Sequence, residues 1–220
     1  MAPPSKKPSK RPPERRNRKS VEERRAELLS LGLEMFKGSA YGDISIDAIA
    51  EAAGISKGLL YHYFPSKRAY YVAAIRHAAD ELLAYTTAAA AESASPLEQL
   101  RPRLHAYLEY VERHAVNYIF LLRGGLSDDE DVQSILEEVR EAFRNQFREV
   151  LGAVADEPRF RVVVRGLVGF VEFASLEWLE RKKVTAAELV DTLARILEAA
   201  VLVTLGHGED TAEARPALRH

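Results

Sequence analysis

A chain of 220 residues with no cysteine and one tryptophan has room for one or two modest domains, and it excludes disulfides and thiolate metal sites. The lack of cysteine fits a cytoplasmic protein, and no uncharged apolar run is long enough to span a membrane. The formal charge of −2 hides an asymmetry: residues 1–25 hold ten Lys/Arg against three Glu, a net of +7, so the other 195 residues carry −9.

Residues 1–19 are rich in Pro, Lys and Arg and nearly devoid of apolar side chains, so they are expected to be a disordered basic arm. No apolar run follows them, which excludes a secretory signal. The arm reads in two ways. It is a solubilising tail, or Lys6, Lys7, Lys10, Arg11, Arg15, Arg16 and Arg18 track phosphates or enter a minor groove. In the second case it adds affinity and salt dependence more than specificity.

The stretch R-A-E-L-L-S-L-G-L-E-M-F-K-G-S-A-Y predicts an amphipathic helix with Leu28, Leu29, Leu33 and Phe36 on one broad face. Ser45 to Lys67 then reads as two short helices around a tight turn, the pattern of a helix-turn-helix that enters DNA. Ser45 is placed to cap the first helix, and Asp47 sits in its first turn, where the helix dipole favours an anion. Ile46, Ile49, Ala50 and Ala53 share a buried face. Gly54 supplies the left-handed residue of the turn, and Ile55 plugs the space between the helices. Ser56 is placed to cap the second helix, in which Leu59, Leu60 and Phe64 are the available inward anchors. That leaves Ser56, Lys57, Tyr61, His62 and Tyr63 on the exposed side and ends, where phenols and ammonium groups meet phosphate oxygens. Gly58 permits close approach to a DNA backbone. Pro65-Ser66-Lys67 opens the next helix and puts a second lysine at the rim. An ordinary helical hairpin with a solvated basic face would share several of these features.

The segment Arg25 to Tyr70 resembles the DNA-binding domain of TetR-family transcriptional regulators. The resemblance rests on Arg25, Leu28-Leu29, Met35-Phe36, Tyr41, Ser45, Ile49-Ala50, Ala53-Gly54-Ile55-Ser56, Gly58, Tyr61, Phe64 and Lys67. Three positions depart from it, and they bear on local packing. Ala40 stands where glycine is usual, Leu31-Gly32 replaces a small alanine pair, and Tyr70 stands where leucine is common. The resemblance implies a homodimer on a near-palindromic operator in double-stranded DNA, with two recognition helices in successive major grooves. It implies DNA contacts from Ser45, Ser56, Lys57, Gly58, Tyr61, His62, Tyr63 and Lys67. Base readout falls to Lys57, Gly58 and His62, and Tyr61, Tyr63 and Lys67 act as phosphate clamps. The attachment of the arm just ahead of this domain favours its reading as a DNA contact.

From Ser66 onward only helical periodicity is visible. One helix is expected from Ser66 to about Glu92, with Tyr70, Ala74, Ala78, Leu82 and Tyr85 along one side. Another spans Leu97 to His114, and a short apolar patch runs from Tyr118 to Leu122. Ser127 and the acidic run Asp128 to Asp131 open a long helix to about Leu151. The last two helices, Arg161 to Arg181 and Thr185 to about Leu205, are apolar over more than one face. Such a helix is buried on two sides. A larger monomeric core would satisfy that pattern. A partner's helices across a two-fold satisfy it more simply, and this is the homodimer through the last two helices that the resemblance implies. Residues 207–220 lack periodicity and are expected to be a mobile tail.

The expected fold class is therefore all-α. A helix-turn-helix DNA-binding domain of three helices over residues 20–65 precedes a helical ligand-binding and dimerisation domain over 66–206. The resemblance further implies an apolar pocket in the body and release of a repressor from DNA by a hydrophobic small-molecule effector. Tyr107, Tyr110, Phe120, Phe143, Phe147, Phe170, Phe173 and Trp178 are its aromatic candidates, although each alone also fits plain core packing. His114, Asn117, Arg123 and Glu172 are the polar ones. Arg123 is suited to a carboxylate, whereas Glu172 is expected to pair with an arginine such as Arg165. No metal and no cofactor is expected.

Three rival readings differ in what they require. An enzyme finds no support: the six histidines form no pair at i, i+3 or i, i+4, and there is no nucleophile elbow or phosphate loop. A non-specific architectural binder would use the arm and rim but read no palindrome. A regulator without an effector would have a filled body.

Overall fold

The computed structural model describes residues 20–35, 44–93, 95–123, 129–152 and 158–214. The basic arm, Phe36, Ala40 and Tyr41, Ser127 and Asp128, and residues 215–220 lie outside the described residues. Among the described residues all regular structure is helical, in the order α1 (Val21–Met35), α2 (Ile46–Ala52), α3 (Lys57–Tyr63), α4 (Lys67–Ala89), α5 (Leu100–Arg113), α6 (Ala115–Leu122), α7 (Glu130–Leu151), α8 (Pro158–Arg181) and α9 (Ala186–Ala214). None of these helices is long and apolar enough to cross a membrane.

Side-chain caps fix where several of these helices start. Ser45, Ser56 and Ser66 each accept a hydrogen bond from the backbone N–H three residues on, at 3.0, 3.2 and 3.0 Å. Helices α1 and α9 begin with reciprocal boxes. Glu23 N–H donates to Ser20 Oγ while Ser20 N–H donates to the Glu23 carboxylate, and Thr185 and Glu188 repeat the exchange. Asp129 caps α7 through the N–H groups of Asp131 and Val132.

The α2–α3 turn closes on a left-handed glycine. Gly54 has φ +62°, its N–H reaches Glu51 O at 3.0 Å, and Ile55 N–H reaches Ala50 O at 3.0 Å. These paired bonds satisfy carbonyls that the end of α2 would otherwise leave open.

Two apolar clusters are joined along α4. The head cluster packs Leu28, Leu29 and Leu33 of α1 against Ile46, Ile49 and Ala50 of α2, Leu60 of α3, Phe64 and Tyr70. It continues into Tyr71, Ala74 and Ile75 of α4 and Val132 and Ile135 of α7. The body cluster gathers Leu82, Leu104, Leu108, Val111, Val168, Leu193, Leu197 and Val201 from α4, α5, α8 and α9. Polar links reinforce the joint. Arg68 holds Asp129 at 2.8 Å and Asp131 at 2.6 Å, Arg76 pairs with Glu138, and Asn117 Nδ2 donates to Leu33 O at 2.7 Å. The Arg68 guanidinium holds the Asp129 carboxyl below its usual range.

Four expectations are corrected. Leu59 is 40% exposed and faces away from the core; Leu60 and Phe64 seat α3, with Tyr63 partly buried beside them. Helix α9 runs on to Ala214, past the end expected at about Leu205. Gly206 and Gly208 remain helical, at about 1 kcal/mol each relative to alanine, too little to end a helix without a cap. Glu172 pairs with Arg140 across α7 and α8 at 3.0 Å, while Arg165 approaches Glu137 at 3.7 Å. Phe173, a pocket candidate, is 73% exposed.

Candidate functional site

Helix α3 has two faces of opposite character. Leu60 is fully buried and Phe64 is nearly so, with the Arg25 guanidinium 5.2 Å from the Phe64 ring centre. On the other face Lys57, Gly58, Leu59, Tyr61 and His62 are exposed. Tyr63 is half-buried, its ring edge-on to His62 at 5.9 Å, and Lys67 is half-buried at the start of α4. Ser45 and Ser56 are exposed at the helix starts, where their hydroxyls act as caps. The eight expected contact residues thus lie on α3 and on the first residues of its neighbours.

Packing does not require a glycine at position 58. A Cβ there would meet only Ser56 Oγ, at 4.0 Å, so the absence of a side chain leaves the outer face of α3 open. Lys57 is held by Asp47, with Nζ 2.9 Å from the carboxylate and both side chains largely exposed. The hydrogen bond and charge of Asp47 raise the lysine above its ordinary value, so it stays cationic. Two residues of this face escaped the sequence reading. Asp47 was placed only as a helix-dipole partner. Leu59 was assigned inward because adjacent apolar residues in a seven-residue helix look alike as anchors.

Among the described residues of the body lie two apolar cavities. One, of about 90 Å³, lies among α5, α7, α8 and α9, and Tyr107, Phe143 and Phe147 line it together with Arg103 and Glu172. The second, of about 110 Å³, lies against the head, and Tyr110, His114, Asn117 and Tyr118 line it with Leu33. Tyr107 and Tyr118 meet between them, hydroxyl to hydroxyl at 2.5 Å, and burial pushes Tyr107 up to about 12.

The remaining candidates lie outside these two linings. Phe120 packs on the head cluster. Arg123 is bound to Glu180 at 2.6 Å, so its carboxylate partner is internal. Phe170 is 40% exposed. Trp178 donates to Val184 O at 2.9 Å, with the Lys182 ammonium over its ring. Arg103 was missed because one arginine in an amphipathic helix reads as solvated.

Outside the head and cavities, α8 and α9 expose a broad apolar surface. Val162, Phe173, Leu202 and Val203 are each at least 60% exposed. Gly166 and Gly169 have nothing within 4 Å of a built Cβ, so the α8 backbone is open to close approach.

Comparison with known proteins agrees with this architecture. Residues 28–74 match the family described as bacterial regulatory proteins, tetR family, and residues 96–200 match the tetracyclin repressor-like C-terminal domain. A solved TetR-family regulator from Streptomyces coelicolor superposes with a TM-score of 0.76 at 30% identity, covering 89% of this chain and 87% of that one. The transcriptional activator FasR of Mycolicibacterium smegmatis is 25% identical over 171 residues, 77% of this chain and 78% of its own length. The transcriptional repressor KstR2 of Mycobacterium tuberculosis is 36% identical over 94 residues, 43% of this chain and 47% of its own length. A capped helix-turn-helix followed by a body of this kind, matched along both parts, settles the family: the chain belongs to the TetR family of DNA-binding transcriptional regulators, which are not enzymes.

Proposed function

We propose that the protein is a homodimeric repressor that binds a palindromic operator and is released by a hydrophobic small molecule. The observation that carries this reading is the two-faced α3, seated by Leu60 and Phe64 and presenting a basic and aromatic outer face. Residues 20–65 form the DNA-reading head and 66–206 the effector-binding and dimerisation body. Lys57, Gly58 and His62 read bases; Tyr61, Tyr63 and Lys67 hold phosphates; Ser45 and Ser56 present helix N-termini to the backbone. Leu59, exposed between Lys57 and Tyr61, is suited to a thymine methyl. The exposed surface of α8 and α9 supports dimerisation, and the apolar cavities support an effector. Relatives include a named activator and a named repressor. Repression is the simpler mode, because it needs only that the bound dimer cover a promoter.

The test is selection of bound fragments from the source genome by purified protein at near-physiological salt. An enriched inverted repeat is the expected result. Binding without a motif that vanishes as salt rises would instead identify a non-specific binder.

Two substitutions divide the labour on this face. Tyr61→Ala should weaken binding to all sequences about tenfold, through loss of a phosphate hydrogen bond, with little change in preference. Altered selectivity at unchanged affinity in competition assays would remove Tyr61 from the backbone. Asp47→Asn should tighten binding several-fold, because it frees Lys57 to reach a base edge and removes an anion from beside the phosphates. Fluorescence anisotropy reads both affinities, and an unchanged affinity for Asp47→Asn would place Lys57 away from the DNA.

A further inference from the structure

The cavity among α5, α7, α8 and α9 has apolar walls but a small polar inventory, and that inventory is nearly all spoken for. Tyr107 is engaged by Tyr118, and Glu172 by Arg140 at 3.0 Å. Gln99 Oε1 accepts from Arg103 Nη2 at 2.5 Å. Gln146, also on the lining, is half-buried. Among the described residues Arg103 Nε is the buried side-chain polar atom that has no hydrogen-bond partner. A buried donor left unsatisfied is costly, and the great majority of such groups in folded proteins find an acceptor.

We propose that this cavity takes an amphiphile with an apolar chain and a single anionic head, a carboxylate being the simplest, and that Arg103 reads the head through its Nε edge. The inference rests on the effector reading above and adds the ligand class and the residue that selects it. The chemistry matches the position. Nε and Nη2 lie on one edge of a planar guanidinium, and that edge presents parallel donors to a carboxylate. Burial lowers the Arg103 guanidinium from its usual value, with Glu149 opposing, yet an arginine remains charged at neutral pH. A chain lying along Leu104, Val168 and Leu197 replaces water on apolar walls, and the head supplies the acceptor that the fold leaves out. A cationic head would leave Nε unsatisfied and face the guanidinium charge. Glu172, the acid on the lining, is already neutralised by Arg140.

The experiment is calorimetric titration of the full-length protein with octanoate, 1-octanol and octyltrimethylammonium. The same titrations are run on Arg103→Met and Arg103→Lys. Octanoate should bind the native protein roughly tenfold more tightly than octanol, the scale of one charge-assisted hydrogen bond. Arg103→Met should erase that preference while octanol affinity is retained, and Arg103→Lys should keep part of it. Met replaces an orphaned donor with an apolar stem, so the variant should melt no lower than the native protein; were it unfolded, the lysine variant carries the comparison. Octanol binding as tightly as octanoate, a preference for the ammonium, or an octanoate preference that survives both substitutions would overturn the head-group assignment and leave the apolar effector site standing. Binding of none of the three would overturn both readings.

Discussion

Phe173→Asp is expected to turn the dimer into a monomer and to weaken operator binding by at least a hundredfold. Phe173 is 73% exposed in the single chain, and Val162 of the same helix is 72% exposed. The two are eleven residues apart, three turns, so they share a face with Gly166 and Gly169 between them. Helix α9 adds Ile196, Leu202 and Val203, each more than 40% exposed. Exposed apolar side chains grouped on two neighbouring helices of a folded protein point to an association site. In a two-fold interface one substitution acts twice. Each buried, unpaired carboxylate costs about 3–5 kcal/mol, so the dimer constant should fall by several powers of ten. A monomer holds one half-site and loses the advantage of linked binding, roughly 100-fold or more. Sedimentation and operator titration at one protomer concentration read both effects. A Phe173→Asp protein that remains dimeric and binds normally would move the interface to another face.

Sequence reading reached the head further than the body, for a physical reason. The serines at 45, 56 and 66 and Gly54 act through partners within four residues, and Leu60 and Phe64 fall in i, i+4 register, so spacing identifies them. Leu59 was misplaced because its direction depends on how α3 rotates against α1 and α2, which no local pattern records. The Glu172 partner was misassigned for a related reason. Arg165 lies seven residues away on the same helix and turns toward Glu137, whereas Arg140 lies opposite on α7 and holds Glu172. Arg103 looked solvated until α7 and α9 closed over its stem. In each case the missing information was tertiary: which neighbour faces the side chain, and whether water still reaches it. The α9 terminus failed differently: the apolar periodicity stops at about Leu205, but a helix already formed continues without it to Ala214.

The same distinction gives the second large effect. Gly32 and Tyr70 each depart from the family pattern, and the fold brings them together. A Cβ on Gly32 would lie 2.6 Å from the Tyr70 hydroxyl oxygen and 2.9 Å from two ring carbons. The ring is fully buried, stacks edge-on with Phe64 at 4.9 Å and donates to Leu28 O. Burial raises its hydroxyl to about 12, so it remains a donor across the working pH range. The missing side chain at 32 is therefore the space the tyrosine occupies. Gly32→Ala should gain about 1 kcal/mol of helix propensity and lose about 1–3 kcal/mol to overpacking, a net loss of about 0–2 kcal/mol. Tyr70→Leu alone should cost about 2–4 kcal/mol through the lost hydrogen bond and the void beneath it. Combined, the two should cost less than their sum, because leucine no longer meets the new methyl, and the coupling should reach about 1 kcal/mol. Thermal melts of the four proteins at one protomer concentration close the cycle. Additive losses would mean that the ring moves aside freely. A coupled result has a functional corollary: Gly32→Ala should weaken operator binding more than its stability loss explains, because Phe64 at the end of α3 packs directly on the Tyr70 ring, and the double variant should recover part of that affinity.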